Sequence, residues 1–385
     1  METHPQSVLQ ALAAYPGADD PFLSIYLDWM PDGTGKRPSL RLLEDELATI
    51  ADRMAGDARY RDGFAADREQ ITTYLNREAP KDAHGIVIFA CHDQGIWTTL
   101  PLQATVDTAI VADRYPHLFQ LAQLISDHEQ CAVVLAEGQE ARIFVLGLND
   151  AEQIAETEAA EKIKRFDQGG EAQMLFQRRT DNLIKAHMRD LAAQLEQIIA
   201  RYDVQHVIIA GNDAIKGMVM DIMTAPITER LIDYIHLDPN SNIKAILETV
   251  EPMLDEAVRR KKADRLATLE EQAGMPDGLG ALGVAETALA LSKGQVQTLL
   301  MLQSFSGPGG ECMNCGTLRA GQRDTCPYDG GEMRPVELRE AFTLRALQQS
   351  ADIEIVEASD YLMAHEAVGV ILRYRDESQS KAVAG

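Results

Sequence analysis

The sequence predicts an α/β protein of three α/β domains, residues 1–128, 129–273 and 274–376, with a disordered tail over 377–385. Three observations support this. Short β-rich runs alternate with segments of helical period along most of the chain, the pattern of α/β layers. Helix breakers cluster in Gly274-Met275-Pro276-Asp277-Gly278-Leu279-Gly280, a domain boundary. A Gly- and Cys-rich excursion over 307–333 interrupts the last domain in the manner of a zinc-ribbon-like insertion.

In the first domain, Phe22 to Leu27 reads as a strand and Leu40 to about Leu75 as helical. Gly85 to Ala90 is a buried strand that pairs with Gly95 to Leu102 across the turn His92-Asp93-Gln94. A helix follows near Leu118 to Ile125. The second domain opens with Cys131 to Ala136 and Ala141 to Leu146, joined as a hairpin by Glu137-Gly138-Gln139-Glu140. After a long helix come the strand His206 to Ala210, a helix near Asp213 to Met223, the strand Leu231 to His236, and a helical run from about Ile243 to Glu271. The third domain carries a helix near Ala285 to Leu291 and a strand Gln295 to Leu302. A helix from Pro335 to Gln348 and strands Ile353 to Val356 and Gly369 to Tyr374 complete it.

Composition bounds the function. The 385 residues suffice for two or three cores. No apolar run is long enough to span a membrane, and Met1-Glu2-Thr3-His4-Pro5 lacks the features of a signal peptide, so a cytoplasmic protein with no membrane partner is expected. Sixty acidic against 36 basic residues give a formal charge of −24, which opposes indiscriminate adhesion to DNA or RNA. Any RNA contact must then use focused basic patches; the alternative is a solvated acidic surface that binds none. The run Arg259-Arg260-Lys261-Lys262 is read as a solvated helix face, with contact to RNA as the alternative.

Cys312-Met313-Asn314-Cys315 and Cys326-Pro327-Tyr328-Asp329 place two pairs of candidate ligands on tight turns, the spacing of a tetrahedral zinc site. Asp329 stands where a ribbon usually has its fourth Cys. Its carboxylate can ligate zinc; the alternatives are that Asp329 is a turn residue and that the ribbon is held by turns alone. Cys91 and Cys131 lie in apolar β-rich runs and are expected in the core, and His187 and His206 are expected to be structural.

The stretch with most to say about chemistry is Gly169-Gly170-Glu171-Ala172-Gln173, followed by Met174-Leu175-Phe176-Gln177-Arg178-Arg179. Adjacent glycines allow a close backbone approach to another molecule. Ile184, Met188, Leu191, Leu195 and Ile198 then fall at the spacing of a buried helix face, with Arg178, Asn182, Lys185 and Arg189 on the neighbouring stripe. Lys164, Arg165 and Arg179 add to the basic character around the glycines, which suits an RNA backbone. An ordinary loop before a helix with a solvated charged face is the alternative reading.

This stretch resembles the catalytic loop of the archaeal and eukaryotic class-1 peptide-chain release factors, and is closer to their bacterial branch and to ribosome quality-control peptidyl-tRNA hydrolases. Gly283-Val284-Ala285-Glu286, Gly294 to Leu300 and Gly369 to Tyr374 are similar to the C-terminal domain of that superfamily, whereas Leu23 to Leu27 is a weaker echo. The resemblance implies three α/β domains in a release-factor-like arrangement and a zinc ribbon in the third. It implies the ribosome, its A-site rRNA and peptidyl-tRNA as partners, with a translational GTPase as a further one. The implied catalytic residues are Gly169, Gly170 and Gln173, with Gln173 orienting water at the peptidyl ester. Glu171 departs from the pattern because it directly follows the glycines, and no stop-codon reader is visible. A peptidyl-tRNA hydrolase acting on stalled ribosomes is therefore expected first. A noncatalytic A-site occupant like Pelota or Balon, and an acidic interaction module off the ribosome, are the alternatives.

Overall fold

The computed structural model describes residues 4–17, 21–54, 58–137, 140–148, 151–158, 171–238, 241–321 and 323–375. The chain forms α1 (Pro5–Ala13), β1 (Phe22–Asp28), α2 (Pro38–Met54), α3 (Ala58–Arg77), β2 (Gly85–Cys91), β3 (Ile96–Leu102), β4 (Ala109–Asp113) and α4 (Phe119–Asp127) in its first third. The four strands make one antiparallel sheet in the order β3-β2-β1-β4. One face of β1 and β2 (Leu23, Ile25, Leu27, Ile86, Ile88, Ala90) is buried against Leu43, Leu47 and Ile50 of α2 and Ile71 and Leu75 of α3. The expected helical stretch is thus two helices.

In the middle of the chain lie β5 (Cys131–Glu137), β6 (Glu140–Leu146), β7 (Ala151–Glu158), α5 (Glu171–Tyr202), β8 (His206–Gly211), α6 (Asp213–Met220), α7 (Ala225–Thr228), β9 (Leu231–Ile235) and α8 (Ile243–Gly274). The sheet order is β7-β6-β5-β8-β9, with β5, β8 and β9 parallel. Alternation along β5 sets two layers: Ala132, Val134 and Ala136 pack with Met188, Leu191 and Leu195 of α5, and Cys131, Val133 and Leu135 pack with Ile246 and Val250 of α8.

The last third contains β10 (Gly280–Leu282), α9 (Gly283–Ser292), β11 (Val296–Leu302), β12 (Pro308–Cys312), β13 (Leu318–Ala320), β14 (Met333–Glu337), α10 (Leu338–Gln348), β15 (Asp352–Val356), α11 (Asp360–Met363) and β16 (Val368–Leu372). It builds a four-stranded sheet, β10-β16-β11-β15, and a three-stranded sheet, β13-β12-β14. One expectation needs correction here. Pro335 does not begin a helix; it lies in β14, opposite Gly310, and the helix starts at Leu338 with Glu337 as its cap, the Glu337 carboxylate accepting from Glu340 N at 2.9 Å.

The fold divides into two compact units, residues 1–127 with 260–385, and residues 128–259. In the first unit the two ends of the chain share a core: Phe119 of α4 lies in one cluster with Leu299, Phe342 and Ile355. The amides of Leu118 and Phe119, at the start of α4, donate to Glu340 Oε2 of α10 at 2.8 and 3.0 Å. His117 Nε2 is 3.0 Å from Asp113 Oδ2, and its Nδ1 is 3.7 Å from Glu340 Oε1. At the far end of α4, Asp127 pairs with Lys262, whose Nζ also donates to Ile355 O at 2.9 Å, and Lys261 Nζ is 3.2 Å from the buried Glu354. Lys261 and Lys262 are therefore not a solvated face as the sequence suggested. Half-buried, they neutralise carboxylates that would be costly to bury alone.

This junction gives a pH-dependent stability. Burial alone would lower the His117 pKa, but the hydrogen bond to Asp113 and the charges of Glu340, Asp113 and Glu337 outweigh it and hold the imidazole above its ordinary value. A raised folded-state pKa means that the stabilisation is complete below about pH 6.5, the unfolded value, and is lost as pH rises through the folded value. Both tryptophans, Trp29 and Trp97, lie in this unit, so urea unfolding followed by tryptophan fluorescence reports on it. The urea midpoint of the wild type should fall across that window, and His117→Gln should flatten the fall. Glu340→Ala should cost about 1–3 kcal/mol by leaving two amides of α4 unsatisfied; an unchanged midpoint would contradict the capping role.

Candidate functional site

The three-stranded sheet carries two turns of the same construction. In the first, Gly316 N donates to Cys312 O at 2.9 Å and Cys312 N to Thr317 O at 2.9 Å. In the second, Gly330 N donates to Cys326 O at 3.0 Å and Cys326 N to Gly331 O at 2.7 Å. Each turn closes on a left-handed glycine, Gly316 at φ 69° and Gly330 at φ 70°. The match is residue for residue, so Asp329 occupies in the second turn the place that Cys315 occupies in the first.

The turns bring Cys312, Cys315, Cys326 and Asp329 together, with one ligand atom from each all within 4.8 Å of one another. Cys315 Sγ is 3.7 Å from Cys326 Sγ, and Cys312 Sγ is 3.4 Å from Asp329 Oδ1. A tetrahedral ion with sulfur ligands at about 2.3 Å and an oxygen at about 2.0 Å needs edges of roughly 3.5–3.8 Å, and these two edges lie close to that range. The Asp329 carboxylate is held in place by hydrogen bonds. Gly331 N donates to Oδ1 at 3.0 Å and Asn314 Nδ2 to Oδ2 at 2.8 Å, and these bonds, with the nearby thiols, keep the carboxyl well below the usual carboxylate range. Asn314 N and Cys315 N also point at Cys312 Sγ, at 3.4 and 3.5 Å. Asn314 and Gly331, which bond to the candidate ligands, are missed by reading the Cys spacing; a polar residue inside the first turn is their only trace in the sequence.

The other candidate residues lie in the second unit. Lys164, Arg165, Gly169 and Gly170 fall outside the described residues. Helix α5 begins at Glu171, so Gln173 is in its first turn and Arg178 and Arg179 are in its third. Lys185 and Arg189 are exposed one turn apart, while Met188, Leu191, Leu195 and Ile198 are buried as their spacing predicts. His187 and His206 are structural: His187 is buried, and His206 Nε2 is 2.7 Å from Glu129. Cys91 and Cys131 are core residues, and burial raises the Cys131 thiol far above its ordinary value.

The first unit also holds a cavity of about 110 Å³ lined in part by His117, Glu311, Arg334, Glu340 and Arg345. Its charges are matched within its own wall: Glu311 binds both Arg334 and Arg345, and Arg345 Nη2 also donates to Gly316 O at 3.0 Å. This ties the first metal turn to α10. No helix among the described residues is long and apolar enough to cross a membrane.

Residues 116–255 match the model of bacterial archaeo-eukaryotic release factor family 10. The chain is 24% identical over 183 residues to Uncharacterized protein YocB of Bacillus subtilis (strain 168), covering 44% of this chain and 67% of that protein. Among solved structures it is similar to an archaeal translation termination factor (15% identity, 96% of this chain and 97% of the other, TM-score 0.28). It is also similar to ribosome-bound archaeal Pelota (17%, 76% and 78%, TM-score 0.42) and to Dom34 of S. cerevisiae, a translation termination-like factor (12%, 76% and 79%, TM-score 0.39). The matched segment runs from the start of α4 through the glycine pair and α5 into α8, and over it the chain is similar to that bacterial release-factor family.

Proposed function

We propose that this protein enters the ribosomal A site and hydrolyses peptidyl-tRNA on stalled ribosomes without reading a stop codon. The observation that carries the reading is the family match over 116–255, which spans Gly169, Gly170, Gln173 and the exposed cations of α5. In this reading Gly169 and Gly170 let the backbone approach the peptidyl ester, and Gln173 orients the attacking water; the tRNA 3′ oxygen is the leaving group. Lys164, Arg165, Arg178, Arg179, Lys185 and Arg189 bind rRNA phosphates. A translational GTPase is the further partner.

Two observations favour a second reading, a noncatalytic A-site occupant. Glu171 follows the glycines directly, and an ionised carboxylate cannot donate a hydrogen bond to water or to a developing oxyanion. Gln173 lies in the first helical turn of α5.

The metal in this proposal is one zinc per chain, held by Cys312, Cys315, Cys326 and Asp329. When bound, zinc supplies a structural cross-link between the two turns and no chemistry on the ester. The residues themselves do the positioning: Asn314 and Gly331 aim the Asp329 carboxylate, and Arg345 fixes the carbonyl of Gly316.

Replacing Arg178, Arg179, Lys185 and Arg189 with Glu should abolish co-sedimentation with ribosomes, while equal charge changes on α3 should have little effect; unchanged sedimentation would contradict the RNA face. In a peptide-release assay, Gln173→Ala should lose turnover and keep ribosome binding, and Glu171→Ala should retain or raise it. A wild type that binds ribosomes and releases no peptide would leave the noncatalytic reading. Elemental analysis should find about one zinc per chain, Cys326→Ser should lose it, and Asp329→Cys should keep it; metal-free native protein would sink the zinc assignment.

A further inference from the structure

We infer that the loop between β1 and α2, residues 29–37, is a preorganised contact for RNA phosphates, a second anchor in the unit that does not carry α5. The inference rests on the ribosome reading only for the identity of the RNA. Its basis is the loop itself.

Most exposed loops are held by few bonds. This one is tied at every level. Asp32 N donates to Lys36 O at 2.6 Å and Gly35 N to Asp32 O at 2.9 Å. The single oxygen Asp32 Oδ1 accepts from Thr34 N at 2.8 Å, Thr34 Oγ1 at 2.7 Å and Lys36 N at 2.9 Å. Below this tip, Arg37 lies over the buried Trp29 ring, 4.4 Å from its centroid, and donates to Trp29 O at 2.7 Å and Lys81 O at 3.0 Å. Trp29 Nε1 donates to Pro80 O at 2.8 Å, and Ser39 Oγ to Asp28 O at 2.6 Å. The bonds fasten the loop to the sheet and to the segment before β2.

What the fixed tip offers is positive charge. Residues 36–41 carry Lys36, Arg37 and Arg41 and no carboxylate, in a chain with 60 acidic and 36 basic residues. Lys36 is exposed and makes no ion pair among the described residues. Arg41 is 88% exposed, and its Asp45 partner, 3.9 Å away, is itself exposed, so the pair is weak and screened. The one acid of the tip, Asp32, is exposed, and its Oδ1 is shared among the three donors of the loop. Gly33 and Gly35 have open space where a side chain would stand, and Gly35 sits at φ +78°, so the backbone beside Lys36 is bare. A narrow, rigid, bare-backed loop with Lys36 at its tip and Arg41 on the first turn of the following helix α2 suits a phosphate backbone, where close approach and little lost entropy both raise affinity.

The test uses the full-length protein and a labelled single-stranded RNA oligonucleotide, with affinity measured by anisotropy across a salt series. Lys36→Gln with Arg41→Gln should weaken binding about tenfold at low salt and reduce the log–log salt slope by about 1.4, two contacts at roughly 0.7 each. Neutralising Arg53 and Arg77 instead should change it little. Asp32→Ala separates a built loop from mere net charge. It removes a negative charge, so charge alone predicts tighter binding, whereas a tip held by Asp32 predicts weaker binding. Native melting of each variant confirms folding. Unchanged binding by the double variant, tighter binding by Asp32→Ala, or a loss seen on anionic vesicles or polyglutamate and not on RNA overturns the inference. If wild type binds the oligonucleotide through Lys36 and Arg41 yet fails to sediment with ribosomes, the proposed function fails and the loop assignment stands.

Discussion

The start of α4 is buried, and amides buried without partners are expensive. The chain solves this with Glu340, whose carboxylate reaches Leu118 and Phe119 across more than two hundred residues of sequence. Much of the first unit follows from that one capping interaction. Around it, His117 donates from its amide to Ser24 Oγ at 2.9 Å and accepts from Tyr26 Oη at 2.8 Å, which fastens the antiparallel sheet to the same point. Arg339 lies over the Phe119 ring, and Arg334 over Tyr115. Through Arg345, which pairs with Glu311 and donates to Gly316 O, the three-stranded sheet is fastened to the helix that supplies the cap. The terminal thirds of the chain form one compact unit in which polar groups of each are paired by the other.

Local pattern made much of the fold legible. Strands β1, β2, β5, β6, β8, β11 and β16 are apolar runs with clear turns between them, and the buried face of α5 follows its spacing. What escaped notice was decided by tertiary pairing. Strand β7, Ala151–Glu158, is rich in Ala and Glu and has little strand propensity; pairing with β6 makes it a strand. Pro335 resembles a helix-starting proline, yet β12 claims it first and the cap falls at Glu337. The roles of Lys261 and Lys262 depend on Asp127, Ile355 and Glu354, none of which is near them in sequence.

The candidate metal centre was more readable, because ligand spacing is a local property. Cys312, Cys315, Cys326 and Asp329 converge as their spacing suggests. The question left open by the sequence was whether Asp329 belongs to the set. Repetition of the turn, with glycine and amide bonds in matching places, is what equates it with Cys315. Gly169 and Gly170 are legible in the sequence alone, and the described residues resume at Glu171, the start of α5.

A net charge of −24 makes unfocused RNA binding unfavourable, so the functional account stands on small basic surfaces: the stripe of α5 and the loop at Lys36. Its central claim is placement on the ribosome. A cryo-EM map of bacterial ribosomes incubated with the protein tests this most directly. The account predicts density in the A site, with the Gly169–Gly170 segment at the peptidyl-transferase centre and the cations of α5 against rRNA. Empty A sites at saturating protein, or density at a site where α5 faces solvent, would contradict it.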